Sequence, residues 1–340
     1  MSTWSEVAGM DRIDPESLVR GVLPSLSWSA GSRLPAAQSA KLTHDTVRAA
    51  RVPAGVHLAF TGTATALDFD VRLGERTSVP APGVPLAFVV RAGRLPVSVV
   101  PVPGGDGTVR IPLPEREPGE VVRVYLPEAV EVRVDGVSPV GGSLAPAPRG
   151  PLWVVYGDSI SQGWSVTECG LAWPSLVAAG LGLDLVNLGF AGAARGELQA
   201  ADVVGASEAA AVAVAWGTNA WSSLPTDAAQ IGQTMRVFLT ALRQGLPRAP
   251  VVVVSPIRRP DAEDVPNRFG ATHAELRTAL EEAVDEFAVA TGDERITLVR
   301  GLGLVPDAEL ADGLHPGDDG HRSLAAGVAP HVAAGLGLPA

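Results

Sequence analysis

Short runs of alternating apolar and polar residues dominate the chain between residues 18 and 138. Every second side chain is apolar over residues 66–73, 108–113 and 121–126, and Pro and Gly separate these runs. Residues 85–91 and 94–100 are similar runs on either side of a two-residue turn, which favours a hairpin. Many short strands, spaced roughly 8–12 residues apart, predict an all-β sandwich of the jelly-roll-like kind.

The pattern changes after residues 141–151, which are rich in Gly and Pro and are predicted to be a linker. We therefore expect two domains, at residues 1–145 and 150–338. In the second domain apolar runs alternate with helical stretches, which predicts parallel strands joined by right-handed crossovers in a three-layer, flavodoxin-like α/β fold. Strands are expected near 152–156, 184–188, 210–215, 250–255 and 296–300, and helices near 171–181, 227–244, 271–290 and 319–334.

Composition narrows the class of protein. A length of 340 residues with 46% hydrophobic and 19% charged residues is typical of a globular chain of two domains. The net charge of −11, without a block of Lys or Arg, argues against nucleic acid or an anionic membrane as partner. The first twelve residues include acids and lack an apolar core, so no signal peptide is expected. The single cysteine, Cys169, cannot form an internal disulfide and is expected to be an inert thiol, which favours a cytoplasmic location.

Three residues have the chemistry of a nucleophilic serine site. Ser159 follows Gly157 and Asp158 at the end of an apolar run, and Asp312 precedes His315 by three positions. Together they supply an attacking hydroxyl, a general base and a carboxylate that orients the base. His321 is a less favoured second base and is otherwise expected to begin the last helix.

Two further residues can stabilise an oxyanion. Gly189 and Asn219 each follow a predicted strand, and they offer a backbone N–H and a side-chain amide beside the N–H of Ser159. Strands of a parallel sheet end at one edge, so Ser159, Gly189 and Asn219 should converge there, with His315 arriving from the loop after the last strand.

Ser159, Gly189, Asn219 and His315, in this order, resemble the four blocks of the SGNH (GDSL-type) hydrolase superfamily over roughly residues 150–335. The resemblance implies a serine esterase that forms a covalent acyl-enzyme, with Ser159, Asp312 and His315 as catalytic residues and no cofactor. One position departs from the family pattern, because Ala220 stands where Asp commonly follows the block's Asn.

The order of domains resembles two-domain carbohydrate esterases and a group of actinobacterial GDSL-type acylhydrolases and acyltransferases. Three functions stay open. The first is hydrolysis of a small-molecule ester or an acylated carbohydrate, and the second is acyl transfer to a hydroxyl of a natural product. The third is carbohydrate binding by a protein whose hydrolase domain is inactive. The oligomeric state is left open as well.

Other residues near the blocks have two interpretations each. Trp164, Phe190, Trp216 and Trp221 either wall an acyl pocket or pack in the core, and substrate contact is the interpretation adopted for Trp164, Phe190 and Trp221. Residues 258–266 are expected to form a rim of the site. His273 is expected on a solvated helix face. No metal site is expected, because paired imidazoles and thiolates are missing.

Overall fold

The computed structural model describes residues 12–76, 86–93 and 95–339. The first eleven residues, where no signal peptide is expected, therefore lie outside the described residues. Positions 85 and 94 of the predicted hairpin do as well.

The first part of the chain is a pair of antiparallel sheets. One has the strand order β1-β2-β7-β4-β5, with β9 added beside β2, and the other has the order β6-β3-β8. The elements are β1 (Val19–Arg20), α1 (Ala36–Ser39), α2 (His44–Ala49), β2 (His57–Thr61), β3 (Ala66–Arg76), β4 (Ala87–Ala92), β5 (Leu95–Pro101), β6 (Gly107–Pro112), β7 (Val122–Tyr125), β8 (Val130–Val140) and β9 (Ala145–Pro146).

The two sheets share one apolar core, which confirms the predicted sandwich. Leu67, Phe69 and Val71, the alternate residues of β3, are buried against residues of the facing sheet. Phe69 meets Phe88 of β4 edge to face, with ring centroids 5.7 Å apart. Burial of one face of each strand is what the period-two pattern requires.

The predicted linker is partly sheet rather than free chain. Within residues 141–151, Pro146 pairs with Phe60 of β2, and the N–H of Ala147 donates to the carbonyl of Ala59 at 3.1 Å. A Cβ on Gly150 would lie 2.0 Å from the carbonyl oxygen of Gly182. The junction is therefore held against both parts of the chain.

The second part contains a five-stranded parallel sheet in the order β11-β10-β12-β13-β14. This is the flavodoxin-like order, and it confirms the predicted α/β fold. The elements are β10 (Leu152–Gly157), α3 (Ser159–Gln162), α4 (Trp173–Leu181), β11 (Asp184–Gly189), α5 (Leu198–Gly205), β12 (Ala211–Ala215), α6 (Ala228–Gly245), β13 (Val251–Val254), α7 (His273–Thr291), β14 (Ile296–Val299) and α8 (Asp318–Leu336).

Helices cover both faces of this sheet. Val154 and Tyr156 of β10 pack in one core with residues of α5, α6 and α7, whereas Trp153 and Val155 pack in the other with α4 and α8. Both faces of the strand are buried, so its apolar run is continuous rather than alternating. None of the helices in the described ranges is long and apolar enough to cross a bilayer.

The N-terminal part of the chain also packs on the α/β part. Leu34 and Ala50 belong to the same core cluster as Tyr156. Arg33 is fully buried and donates to the carbonyl oxygens of Ala49 (2.7 Å), Val52 (2.6 Å) and Asn187 (2.5 Å). The prediction of β structure alone over residues 18–138 therefore missed α1, α2 and this docking segment.

A second contact joins the sandwich to the α/β part. Val89 of β4 and Tyr125 of β7 form a small core with Cys169, and Cys169 is fully buried. Burial raises the pKa of the Cys169 thiol well above its usual value. A buried, protonated thiol is inert in nucleophilic chemistry, which agrees with the expectation for Cys169.

We expect a fragment of residues 148–340 to be less stable than the full chain, because it lacks Arg33, Leu34 and Ala50. Loss of this core and of the buried guanidinium bonds should lower the free energy of unfolding by roughly 4 kcal/mol, or about 10 °C in thermal midpoint. Differential scanning fluorimetry of fragment and full chain measures this. A fragment that melts at the temperature of the full chain would make the sandwich an independent module.

Candidate active site

Ser159 begins α3 where β10 ends, and the turn is held from both sides. The carboxylate of Asp158 caps the helix by accepting from the N–H of Ile160 at 3.1 Å. A Cβ on Gly157 would lie 2.2 Å from the Oγ of Ser161 and 2.5 Å from the carbonyl oxygen of Ala215, so only Gly fits there. Within the described chain, no acceptor is bonded to the N–H of Ser159.

Asp158 is nearly fully buried, and burial raises its pKa to about 6 against the opposing effect of backbone N–H groups of Ile160, Thr218 and Gly217. This carboxyl lies behind Ser159 and binds backbone rather than a histidine. It is therefore a capping residue.

The structure brings Ser159, His315 and Asp312 into one hydrogen-bonded series. The Oγ of Ser159 lies 3.0 Å from Nε2 of His315, and Nδ1 of His315 lies 2.8 Å from Oδ2 of Asp312. The other carboxylate oxygen of Asp312 accepts from the backbone N–H groups of Leu314 (3.0 Å) and His315 (2.7 Å). Asp312 therefore fixes both the ring and the loop that bears it, which leaves Nε2 to accept a proton from Ser159.

Electrostatics keep the ring of His315 neutral. Burial lowers the pKa of His315 below its ordinary value, Asp312 opposes this change, and the nearby guanidinium of Arg259 adds to it. Burial alone would raise the pKa of Asp312, but the hydrogen bonds from His315 and Leu314 outweigh burial and lower it. A neutral imidazole beside an ionised carboxylate is the state that a general base requires.

His321 lies in the first turn of α8, as predicted, and both of its ring nitrogens are engaged. Nδ1 accepts from the N–H of Trp173 at 3.2 Å, and Nε2 lies 3.4 Å from the carbonyl oxygen of Trp164. The side chain is fully buried, and burial lowers the pKa of His321 to about 4. His321 thus supports the segment that carries Trp164 and does not face Ser159.

His273 is buried, so the prediction of a solvated helix face is wrong. It begins α7, its N–H donates to the carbonyl of Ala262 at 3.0 Å, and its Nδ1 lies 3.6 Å from a carboxylate oxygen of Glu263. The loop before α7 covers the start of the helix and buries His273. The prediction failed because the charged residues after His273 give no sign of this cover. Burial lowers the pKa of His273 to about 3.

Asn219 lies in the turn after β12, and its amide is oriented by neighbours. Its Oδ1 accepts from the Oγ of Ser223 at 3.2 Å, while its Nδ2 makes a long contact of 3.4 Å with the carbonyl oxygen of Ala194. Nδ2 therefore points to the loop after β11. From there it could donate to an oxyanion that lies beside that loop.

Gly189 has a different role from the predicted one. Its N–H donates to Oδ1 of Asn187 at 2.8 Å, so it is not free for an oxyanion. A Cβ on Gly189 would lie 2.3 Å from the backbone N of Gln162. The prediction of Gly189 as an oxyanion donor is thus contradicted, and the residue instead lets α3 pack tightly on β11.

Gly192, which the sequence interpretation passed over, has the free N–H that Gly189 lacks. Its neighbour Ala191 donates to Oε1 of Gln162 at 2.9 Å, and Ala194 contacts Asn219. Gly192 thus lies between α3, which begins with Ser159, and the amide of Asn219. Among the described residues nothing accepts from its N–H, and its φ of +69° is one that Gly adopts readily.

The four aromatic residues have separate positions. The half-buried Trp164 lies against His315, with ring centroids 5.6 Å apart. Trp221 is also half-buried, and the guanidinium of Arg259 lies 4.7 Å above its ring. Phe190 is fully buried in the core and Trp216 nearly so. The burial of Phe190 contradicts its predicted contact with substrate, because the ring points into the core and not into the site.

Residues 258–266 lie beside the Asn219 turn, where a rim was predicted. Arg259 donates to Asp261 at 2.9 Å and to the Oγ of Ser222 at 3.0 Å. Next to this segment, the amide of Asn267 donates to the carbonyl oxygens of Ala220 (3.2 Å) and Thr226 (2.8 Å). The loop therefore holds the turn that lacks the family's usual Asp at position 220.

A cavity of about 350 Å³, lined by both polar and apolar side chains, opens beside the Asn219 turn. Ala194 and Ala220 connect it to the candidate oxyanion donors. Its other lining residues are mostly hydroxyl, amide or guanidinium groups, among them Arg195, Ser223, Thr226, Gln230, Thr234 and Arg268. Within the described ranges, no group of three or more His, Cys, Asp or Glu has an arrangement that could hold a metal ion.

The model of the GDSL-like lipase/acylhydrolase family matches residues 152–333, slightly more than half of the chain. No curated protein matches the chain.

Solved structures share the fold over both parts of the chain. The salicylyl-acyltransferase SsfX3 from a tetracycline biosynthetic pathway is 21% identical, with a TM-score of 0.80 over 96% of this chain and 97% of that one. A GDSL-like lipase-type structure from Bacteroides ovatus is 18% identical, with a TM-score of 0.79 over 97% and 99%. A family two carbohydrate esterase from Clostridium thermocellum, in complex with cellohexaose, is 16% identical, with a TM-score of 0.61 over 83% and 92%.

We expect Gly189→Ala to destabilise the protein strongly, because its Cβ would lie 2.3 Å from backbone on α3. Such an overpacked site should lower the free energy of unfolding by several kcal/mol. The thermal midpoint should then fall by roughly 10 °C, or the variant should fail to fold. Gly192→Ala is the control: no atom lies within 4 Å of its Cβ position, so only the left-handed backbone is strained, by about 1–2 kcal/mol. Thermal melting that ranks the two variants in the opposite order would contradict these assignments.

We expect the ring of His315 to titrate below the ordinary histidine pKa of about 6.5. Arg259→Gln should raise this pKa, because the removed cation disfavours the protonated ring. NMR titration, with the signal assigned by its loss in His315→Gln, measures both values. Arg258→Gln, at the half-exposed neighbour that pairs with Asp307, is the control and should leave the pKa of His315 unchanged. An unchanged pKa in Arg259→Gln would contradict the electrostatic argument.

Proposed function

Because the chain belongs to the GDSL-like lipase/acylhydrolase family, we propose that Ser159, His315 and Asp312 hydrolyse esters through a covalent acyl-enzyme. Membership makes the chain a serine ester hydrolase of the SGNH type. The observation that supports these three residues is their unbroken series of hydrogen bonds, at 3.0 and 2.8 Å.

The geometry suits each step of the reaction. Ser159 Oγ attacks the ester carbonyl while His315 Nε2 accepts its proton, and Asp312 stabilises the imidazolium that forms. The oxyanion is bound by the N–H groups of Ser159 and Gly192 and by Nδ2 of Asn219. His315 then protonates the leaving alkoxide, and water attacks the acyl-enzyme after losing its proton to the same nitrogen.

The substrate that we propose is a small-molecule ester or an acylated carbohydrate. The hydroxyl and amide groups of the 350 Å³ cavity beside Asn219 match a ligand rich in hydroxyls. Trp164 beside His315 and the half-buried Trp221 offer apolar surface for the rest of the ligand. In this proposal residues 1–145 form the sandwich that shapes and supports the catalytic domain of residues 150–338. The single, buried Cys169 supports a cytoplasmic location.

Acyl transfer is the second candidate, and the same cavity favours it. A bound acceptor alcohol in that cavity would lie beside the oxyanion donors and compete with water for the acyl-enzyme. Among the neighbours in fold, SsfX3 is a salicylyl-acyltransferase. The third possibility, a carbohydrate-binding protein with an inactive hydrolase domain, has the intact Ser159–His315–Asp312 series against it.

Ser159→Ala and His315→Ala should each lower the turnover of p-nitrophenyl acetate by several orders of magnitude, and the double variant should be little worse, because the residues act as one unit. Asn219→Ala should lose roughly 10²–10³-fold, as expected for one oxyanion donor. Steady-state kinetics measure these losses, and circular dichroism checks the fold.

His321→Ala is the comparison for the base: it should lose far less turnover than His315→Ala, and only through lower stability and displacement of the Trp164 segment. Turnover by Ser159→Ala at the rate of the unchanged protein would overturn the proposed nucleophile. Adding an alcohol such as glycerol separates the two candidates, since an acylated alcohol forms in excess over free acid only if transfer dominates.

A further inference from the structure

A second and larger cavity, of about 660 Å³, lies between the sandwich and the layer formed by α4 and α8. No residue of the proposed catalytic site lines it. Much of its wall is apolar and comes from the loop before α4 and from the two helices, with Leu171, Leu176, Val177, Leu181, Ala325 and Ala329. A cavity of this size lies within the range of about 300–1,000 Å³ that is usual for small-molecule sites.

Three guanidinium groups line the rest of this cavity, although the chain has a net charge of −11. Arg91 of β4 and Arg123 of β7 occupy directly opposed positions on neighbouring antiparallel strands. Like charges in such a cross-strand pair destabilise a sheet. The third, Arg322, comes from the first turns of α8.

Two of these cations are neutralised and one is not. Arg91 donates to a carboxylate oxygen of Glu168 at 3.0 Å, and Arg322 donates to Asp319. For Arg123 no carboxylate partner and no hydrogen bond exist within the described part of the chain. The cavity wall thus keeps one half-exposed guanidinium that pairs with no carboxylate of the described residues.

Tyr125 adds a second unmatched polar group. It follows Arg123 by two positions on β7, so both side chains leave the same face of the sheet. Tyr125 is only 3% exposed and lines the cavity, yet its hydroxyl makes no hydrogen bond to any described residue. Burial raises the pKa of Tyr125, so the hydroxyl stays protonated and can donate. The hydroxyl is not one of the fully enclosed polar atoms of the described residues, so it can donate to an acceptor that enters the cavity.

We propose that this cavity binds a medium-chain carboxylate, with the head group on Arg123 and Tyr125 and the chain on the apolar wall. One unpaired guanidinium and one hydroxyl donor match the charge and the two oxygens of a single carboxylate. The apolar wall formed by α4 and α8 fits an unbranched hydrocarbon chain. The bound acid contacts the sandwich and the α/β part together, so it stabilises their packing. This proposal does not depend on the proposed ester hydrolysis.

Isothermal titration calorimetry of the full chain with decanoate tests the proposal. Decanoate should bind at a ratio near one, and decanol, which has the chain without the charge, should bind at least about tenfold more weakly, as should acetate. Arg123→Gln should weaken decanoate binding by about tenfold or more. The matched control is Arg133→Gln, at an exposed arginine on β8 of the other sheet, and it should bind as the unchanged protein does.

A second variant and a second measurement cover the case in which Arg123→Gln folds poorly. Tyr125→Phe keeps the ring and should weaken decanoate binding several-fold while the thermal midpoint without ligand stays the same. Saturating decanoate should raise the thermal midpoint of the unchanged protein. The proposal is overturned if decanoate does not bind, if decanol binds as tightly, or if both variants keep the affinity of the unchanged protein. The remaining outcome is that decanoate inhibits ester hydrolysis competitively while neither substitution changes its affinity. That result would place decanoate in the proposed catalytic site and overturn the proposal.

Discussion

The buried side chain of Asn187 is the contact on which the geometry of the site depends. Its Nδ2 donates to the carbonyl of Ser161 at 2.7 Å, and its Oδ1 accepts from the N–H of Gly189 at 2.8 Å. The amide thereby fixes α3, which begins with Ser159, to the end of β11. In a fully buried position each of these groups would be costly if left unpaired, so the amide determines where Ser159 lies relative to the loop of Gly192.

The backbone of Asn187 extends this arrangement to the N-terminal part of the chain. Its carbonyl accepts from Arg33, whose fully buried guanidinium binds two further carbonyls and lies 5.2 Å from the ring of Phe190. Burial lowers the pKa of Arg33 to about 9, and Glu128 opposes this. Burying a guanidinium is costly, because it loses its contacts with water. Arg33 can stay charged in the core because the three carbonyl oxygens replace those contacts. The sandwich region and the α/β region are thus joined at the end of β11, beside the candidate active site.

The sequence predicted what depends on strand order and missed what depends on side-chain partners. Ser159 and His315 meet because loops at the carboxyl ends of parallel strands share one edge, which the alternation of strands and helices already implied. Which glycine offers a free N–H could not be deduced, because Gly189 is occupied by the side chain of Asn187, two residues before it. The four-residue α3 is too short to show a helical period. Phe190 is buried against Tyr156 and Arg33. His273 is covered by the loop that precedes α7, and the local residue pattern predicts neither contact.

The attachment of Arg33 to Asn187 has a consequence for the order in which the chain folds during synthesis. The residues around Arg33 leave the ribosome early, yet their acceptor strand β11 is made about 150 residues later. Similarly, β2 lacks its neighbour β9 until residues 145 and 146 have emerged. Contacts this distant in sequence form slowly, and the strand edges waiting for them are open to wrong pairing. We therefore expect the N-terminal half to stay incompletely packed during translation until the strands of the parallel sheet have formed.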